Sequence, residues 1–389
     1  MKPLESIEPL GHAVALQLPG IAARADEIEE ARRLPADIAQ SLARAGVFNM
    51  VRPKSLAGLE MAPLDLVSVL HAIARAEAST GWCAMIGATT AINAAYLPPD
   101  VAAEVYADPH SITGGVFAPM GRADDMGDHY KVTGRWQWGS GSANCDWLCG
   151  GAMVFKDGEL QRFDNGAPYH RMMIFPASEV ELLDTWHVMG MKGTGSGDIA
   201  VKDVLVPKAR SVSLIADTPV EQGPLYQFPV FGLLAMGVAS VALGNAAGAM
   251  DEIKALARAK KPQGGQRTMA ERAVVQTDLM RAEAKLASAE AFFRESIAEC
   301  WEGATTRGEL SPEERARLRL AATYATETAA DVAKTAFTIG GGSAVYMTSS
   351  LQRRFRDAHV ATQHIATASS VYELVGRIAL GLPTDTGML

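Results

Sequence analysis

Apolar residues recur along the chain at two different periods, and the changes of period divide it into three segments. In PADIAQSLARAG (35–46), Ile38, Leu42 and Ala45 follow a helical spacing, opened by Pro35 and stopped by Gly46. A second helix is predicted from Pro63, with Leu66, Val69, Leu70 and Ile73 on one face. A third apolar segment runs from Ser79 to about Tyr96 and ends at Pro98-Pro99. From about residue 111 short β-rich runs appear between glycines: HYKVTGRWQW, WLCGGAMVF, RMMIFPA, VELLD and DIAVKDVLVP. In the last of these Ile199 and Val201 alternate with polar neighbours, as in a half-buried strand. Such strands predict a small barrel or sandwich.

After TPVEQGPLYQFP the helical period returns and persists. Helices are predicted over about 230–260, over 268–301 with Val275, Leu279, Leu286, Phe293, Ile297 and Cys300 in register, from Ser311, and after Ser350. Ser311-Pro312-Glu313-Glu314 reads as a capping box with proline in the first turn. Four long helices joined by short connections predict a four-helix bundle. The expected class is therefore α+β: an N-terminal helical domain (1–110), a β-barrel or sandwich domain (111–215) and a C-terminal bundle (216–389).

Composition narrows the function. At 48% hydrophobic and 21% charged the chain can bury a substantial core, and a net charge of −8 argues against nucleic acid as a partner. Cys83, Cys145, Cys149 and Cys300 form neither a Cys-x-x-Cys pair nor a disulfide framework. No signal peptide is legible, and no uninterrupted apolar run approaches the ~20 residues that cross a membrane. A reduced, cytoplasmic setting is the expectation.

Four segments carry candidate chemistry: GVFAPMGRA (115–123), GRWQWGSGSANCDW (134–147), GMKGTGSGDIAVKDVLVP (190–207) and FTIGGGSAVYMTSSLQRRFRDAHVATQHI (337–365). Together, and in this order, they resemble the acyl-CoA dehydrogenase superfamily over nearly the whole chain. The resemblance implies a flavin site lined by Phe117, Ala118, Trp138, Gly139, Ser140, Gly141, Thr194, Ser196, Gly340 and Gly341. Trp138 would wall the isoalloxazine, Ser140 would meet flavin N5, and Gly121, Gly139 and Gly141 would let backbone and its amides approach the ring.

The chain departs from the dehydrogenases at two places. Their catalytic glutamate, counted from Arg356-Asp357, falls on Ile365, which cannot take a proton; Glu373 is two helical turns further on, or ~12 Å. The stretch RAKKPQGGQRTMAERA (258–273) lacks the phenylalanine of their FAD-holding Arg-x-x-Phe-Gly motif. The resemblance is then to the superfamily's two-component monooxygenases, in which RDAHVATQHI followed by ELVGR closes the chain. It implies reduced flavin (FMNH2 or FADH2) from a separate reductase, O2 added at flavin C4a, and transfer of one oxygen to a small aromatic, heteroaromatic or amine substrate. His364, with a pKa near neutrality, would activate the substrate near C4a. Trp82, Asn93, Phe117 and His364 would line its pocket.

Asp357 is expected to pair with a nearby arginine, and His359 to be structural. No metal is expected, since His359 and His364 lack the i, i+4 spacing of paired ligands. The resemblance further implies a homo-oligomer, a tetramer, built through the bundle. The alternative is an acyl-CoA dehydrogenase or oxidase holding FAD, with a relocated base.

Overall fold

Prolines open the helices where a missing N–H costs nothing. In the computed structural model, which describes residues 1–389, α1 (Leu10–Ala15), α2 (Leu18–Ala23) and α3 (Ala25–Ala31) precede α4 (Ala36–Ala45), α5 (Pro63–Ala76), α6 (Ala78–Thr90) and α7 (Pro99–Val105). Pro35 and Pro98 stand just before α4 and α7, and Pro63 begins α5. Gly46 ends α4 in the left-handed conformation, at φ 94°. The apolar segment from Ser79 divides: α6 stops at Thr90 and a 3-10 turn carries on over Ala91–Ala95. Helices α1 and α2 were not legible in advance, because they are too short to show a period; burial of Leu10, Val14 and Ile21 holds them.

The strands are β1 (Thr113–Asp125), β2 (His129–Trp136), β3 (Trp147–Lys156), β4 (Glu159–Leu160), β5 (His170–Pro176), β6 (Glu181–Leu183), β7 (Asp198–Pro207) and β8 (Ser211–Val212). They form one sheet in the order β6-β7-β2-β1-β3-β5-β8, with β4 beside β3. Only β1 and β3 run parallel. The sheet curls around its own core of 12 residues, centred on Trp136, whose Nε1–H donates to the Gly151 carbonyl at 2.6 Å. Gly121, Gly134 and Gly150 are small because this indole lies against them: a β-carbon on Gly121 would sit 2.5 Å from Trp136 Cζ2. Gly121 is therefore required by the strand core, where the resemblance implied approach to a flavin ring. Between Val116 and Gly121 the β1–β3 register slips, and the FAPM segment bulges out of the sheet.

Helices resume with α8 (Pro224–Gln227), α9 (Val230–Ala259), α10 (Ala273–Thr306), α11 (Pro312–Gly340), α12 (Ser350–Ala361) and α13 (Ser370–Ala379). The Ser311–Glu314 capping box is present, with Ser311 Oγ accepting from Glu314 N. By length and composition α9 could cross a bilayer, which corrects the expectation that no such stretch exists. It is buried instead, packed between α5 and α11. That packing also alters the bundle. Residues of α5, α9, α10 and α11 belong to one 79-residue core, so the N- and C-terminal helices form a continuous body and α9 is its central member. A bundle closed on itself would have left α5 facing solvent.

Candidate active site

Trp82 links the two halves of the site. Its helix, α6, is capped by the buried Glu77 carboxylate, which accepts from Ser79 N and Thr80 N and suits the positive end of the helix dipole. From there the Trp82 indole N–H donates to Ser140 Oγ at 3.1 Å, and the ring meets the His364 imidazole edge-on at 5.5 Å between centroids. The sheet, the N-terminal helices and the segment after α12 thus converge on one indole.

Beyond Ser140 lies a chain of hydroxyls whose proton positions can be worked out. Thr194 Oγ1 donates to the Met191 carbonyl at 2.8 Å, which uses its single proton. Its contact with Ser196 Oγ at 2.5 Å must therefore be donated by Ser196, and the Ser140–Ser196 contact at 2.6 Å by Ser140. Ser140 thus receives the Trp82 N–H, gives its own proton to Ser196, and keeps one lone pair. It faces a ligand as an acceptor.

The chain is anchored by Asp357 on α12, whose carboxylate accepts the Met191 N–H at 2.5 Å. This corrects the expectation of an Asp357–arginine pair: Arg356 binds Glu29, and Arg353 binds Asp26 and Glu29. Burial pushes the Asp357 carboxyl up to about 7, against the Met191 N–H, which lowers it, with Glu77 raising it further. His359 is structural, its Nδ1 2.8 Å from the Phe355 carbonyl.

His364 caps the 3-10 turn Ile365–Thr367, accepting the Ala366 N–H on Nδ1 at 3.2 Å. With that lone pair engaged, the neutral ring carries its proton on Nε2. Although the residue is partly exposed, burial of the ring and then the charge of Arg319 hold its pKa down at about 4. This corrects the expectation of a value near neutrality. At physiological pH His364 is a neutral N–H donor.

The remaining expected residues divide. Phe117, in the β1 bulge, stacks edge-on to Phe231 of α9 at 5.4 Å and to His170 at 5.9 Å, while Ala118 packs on the strand core. Asn93 is buried with Nδ2 3.8 Å from Cys149 Sγ and Oδ1 unpartnered. Trp138 is 58% exposed and sits at φ 69°, a costly conformation for an aromatic residue. The Gly139 and Gly141 amides donate to Gly197 O and Thr194 O, so neither is free for a flavin carbonyl as expected. Gly340 and Gly341 end α11, where Lys260 Nζ donates to the Gly340 carbonyl at 3.3 Å. Arg319 was missed. Arg319 shares a face of α11 with Ala316 and Thr323, and a charge at that spacing among small buried residues was the available signal.

A planar flavin fits these residues. Trp138 supplies an open indole on strained backbone, and the lone pair of Ser140 matches the N5–H that a reduced flavin carries.

The same order of helices, sheet and helices is found in proteins of known class. Residues 19–97 match the acyl-CoA dehydrogenase N-terminal domain, and 236–369 match the acyl-CoA dehydrogenase C-terminal domain. The chain is 31% identical over 369 residues to indole-3-acetate monooxygenase from Pseudomonas putida, covering 94% of this chain and 92% of that one. It is 28% identical over 388 residues to HsaA, the oxygenase subunit of a flavin-dependent monooxygenase of Mycobacterium tuberculosis, covering 96% and 95%. The crystal structure of 3-HSA hydroxylase from Rhodococcus superposes with a TM-score of 0.89 at 27% identity, covering 97% of this chain and 98% of that one. The chain belongs to the acyl-CoA dehydrogenase family, in its branch of flavin-dependent monooxygenases.

Proposed function

We propose that this protein is the oxygenase component of a two-component system, hydroxylating a small aromatic or indole-type substrate with reduced flavin delivered by a separate reductase. The observation that supports it best is the Ser140–Trp82–His364 junction, which sets an acceptor and a neutral N–H donor on either side of one indole. Position 365, where a dehydrogenase keeps its proton-abstracting glutamate, holds a largely exposed isoleucine.

Reduced flavin supplies the two electrons that divide O2 between the substrate and water. The protein's part is to hold and shield. Ser140, with its own proton directed to Ser196, would hold a reduced flavin by accepting its N5–H. Phe117 and Phe231 offer apolar walls that exclude water from a planar ring. His364, as an Nε2–H donor, would hydrogen-bond a substrate oxygen and favour negative charge developing there. As in the family, a homotetramer is expected.

Oxygen-uptake and product assays with a generic flavin reductase, FMN or FAD, and a panel of indoles and phenols test the reading. Hydroxylated product is expected only when reduced flavin is supplied. Firmly bound yellow FAD that is bleached by an acyl-CoA, with no oxygenated product, would establish the dehydrogenase alternative instead.

A further inference from the structure

One charged group beside His364 lacks a counter-charge. Arg319 is 7% exposed, yet no Asp, Glu or terminal carboxylate approaches within the 4.0 Å of an ion pair. Its Nη1 donates to the Met388 carbonyl at 2.6 Å, its Nη2 to the Ala366 carbonyl at 3.1 Å, and its Nε has no partner. Two more buried polar atoms near it are orphaned. Thr323 Oγ1 lies one turn further along the same face of α11, and Thr367 Oγ1 follows Ala366 in the turn against which α11 packs.

A buried guanidinium held only by neutral carbonyls retains much of its desolvation cost, and its planar fork matches a carboxylate. The group lies close to the reacting centre. Ala366 is two residues from His364, and Arg319 is near enough to depress that imidazole. Leu318 fills the space above Gly232, next to Phe231 of the aromatic wall.

We infer that Arg319, with the hydroxyls of Thr323 and Thr367, is the receptor for a carboxylate carried by the aromatic substrate. The inference rests on the oxygenase reading for the word substrate, and it selects arylalkanoic or aryl acids among the aromatics that reading admits. The ring would lie against Phe117 and Phe231 and the acid would point into the bundle.

The test compares indole-3-acetate, phenylacetate and benzoate with their neutral amides, on wild type, R319M and R319K. Binding is measured by calorimetry on protein loaded with reduced FMN under anaerobic conditions, and turnover separately. Truncating one side of a buried charge pair costs at least ~2 kcal/mol, so wild type should bind its best acid about thirtyfold tighter than the amide. R319M should lose that preference while amide binding stays within about threefold, and R319K should keep part of it. Equal binding of acid and amide by wild type overturns the inference. So does equal weakening of both by R319M, which would make Arg319 only a tie between the tail and the His364 turn. Should R319M fail to fold, the wild-type ratio decides. Hydroxylated amide with no acid preference sinks the receptor and leaves the oxygenase standing. Tight acid binding with no oxygenated product from either compound does the reverse.

Discussion

The two sides of Trp82 are built differently. Toward the sheet, the hydroxyls of Ser140, Ser196 and Thr194 run to the Met191 carbonyl with every proton assigned. Toward the bundle, Arg319 Nε, Thr323 Oγ1 and Thr367 Oγ1 are buried with no partner. A satisfied chain is rigid and presents one fixed face, which suits a ligand that is the same in every turnover. Orphaned donors cost free energy until something fills them, which suits a ligand that specifies the enzyme. On the proposed reading the flavin side is preorganised and the substrate side is left unsatisfied.

The largest effect should come from breaking the junction itself. His364→Ala should lower hydroxylation by at least about a hundredfold, with reduced-flavin affinity unchanged. His364→Asn restores an N–H donor without a base and should recover part of the rate. Recovery by asparagine distinguishes a donor from a general base; a variant as poor as alanine would reinstate proton abstraction as the role of this residue.

Next in size is the packing under the flavin side. Gly121→Ala would force a β-carbon against Trp136, whose indole cannot move away without losing its bond to Gly151. Overpacking of this kind costs about 1–3 kcal/mol, read as a shift in urea midpoint. If stability held and flavin binding fell instead, the glycine would be a flavin contact after all.

Breaking the chain should be milder. Ser196→Ala frees the Ser140 proton and removes its acceptor, worth ~1 kcal/mol. Up to about tenfold more hydrogen peroxide per product is expected, since a serine no longer fixed as an acceptor holds N5–H less well. Unchanged coupling would show that Ser140 does not touch N5.

These predictions follow what could and could not be read from the chain. Helix starts were legible because Pro63 and Ser311–Glu314 write backbone chemistry into adjacent letters. Ser140 and His364 were singled out through motif order and Trp82 through its apolar helix, and the structure brings the three side chains together. Their protonation was not legible: Ser140's direction depends on a carbonyl at Met191, and His364's on an amide at Ala366 and a charge at Arg319. The packing role of Gly121 was not legible, because a glycine next to a strand core and one next to a cofactor look alike in sequence. Such facts arise from tertiary contact, and no local pattern carries them.

The effect expected to be smallest in wild type, because its two parts nearly cancel, is a pair of opposed pH slopes. His364 has its pKa lowered from 6.5 to about 4, so below 6.5 the unfolded chain takes up a proton that the folded one refuses. Its contribution to stability is present above that range and is lost as pH falls toward 4. Asp357 is raised from 3.8 to about 7, so the folded chain keeps a proton the unfolded chain releases. Its contribution is present below 3.8 and is lost as pH rises through 7. The two slopes oppose each other over nearly the same window, and wild type should be flatter than either group alone would make it. Asp357→Asn keeps an oxygen for the Met191 N–H and removes the falling slope, so its denaturation midpoint should rise with pH between about 4 and 7 relative to wild type. His364→Asn should do the opposite. Glu29, Glu77 and Arg356 act on Asp357 in all these proteins and cancel in the comparison. Parallel profiles for both variants and wild type would mean that solvent reaches the two groups, and that neither side of the Trp82 junction is as dry as its packing implies.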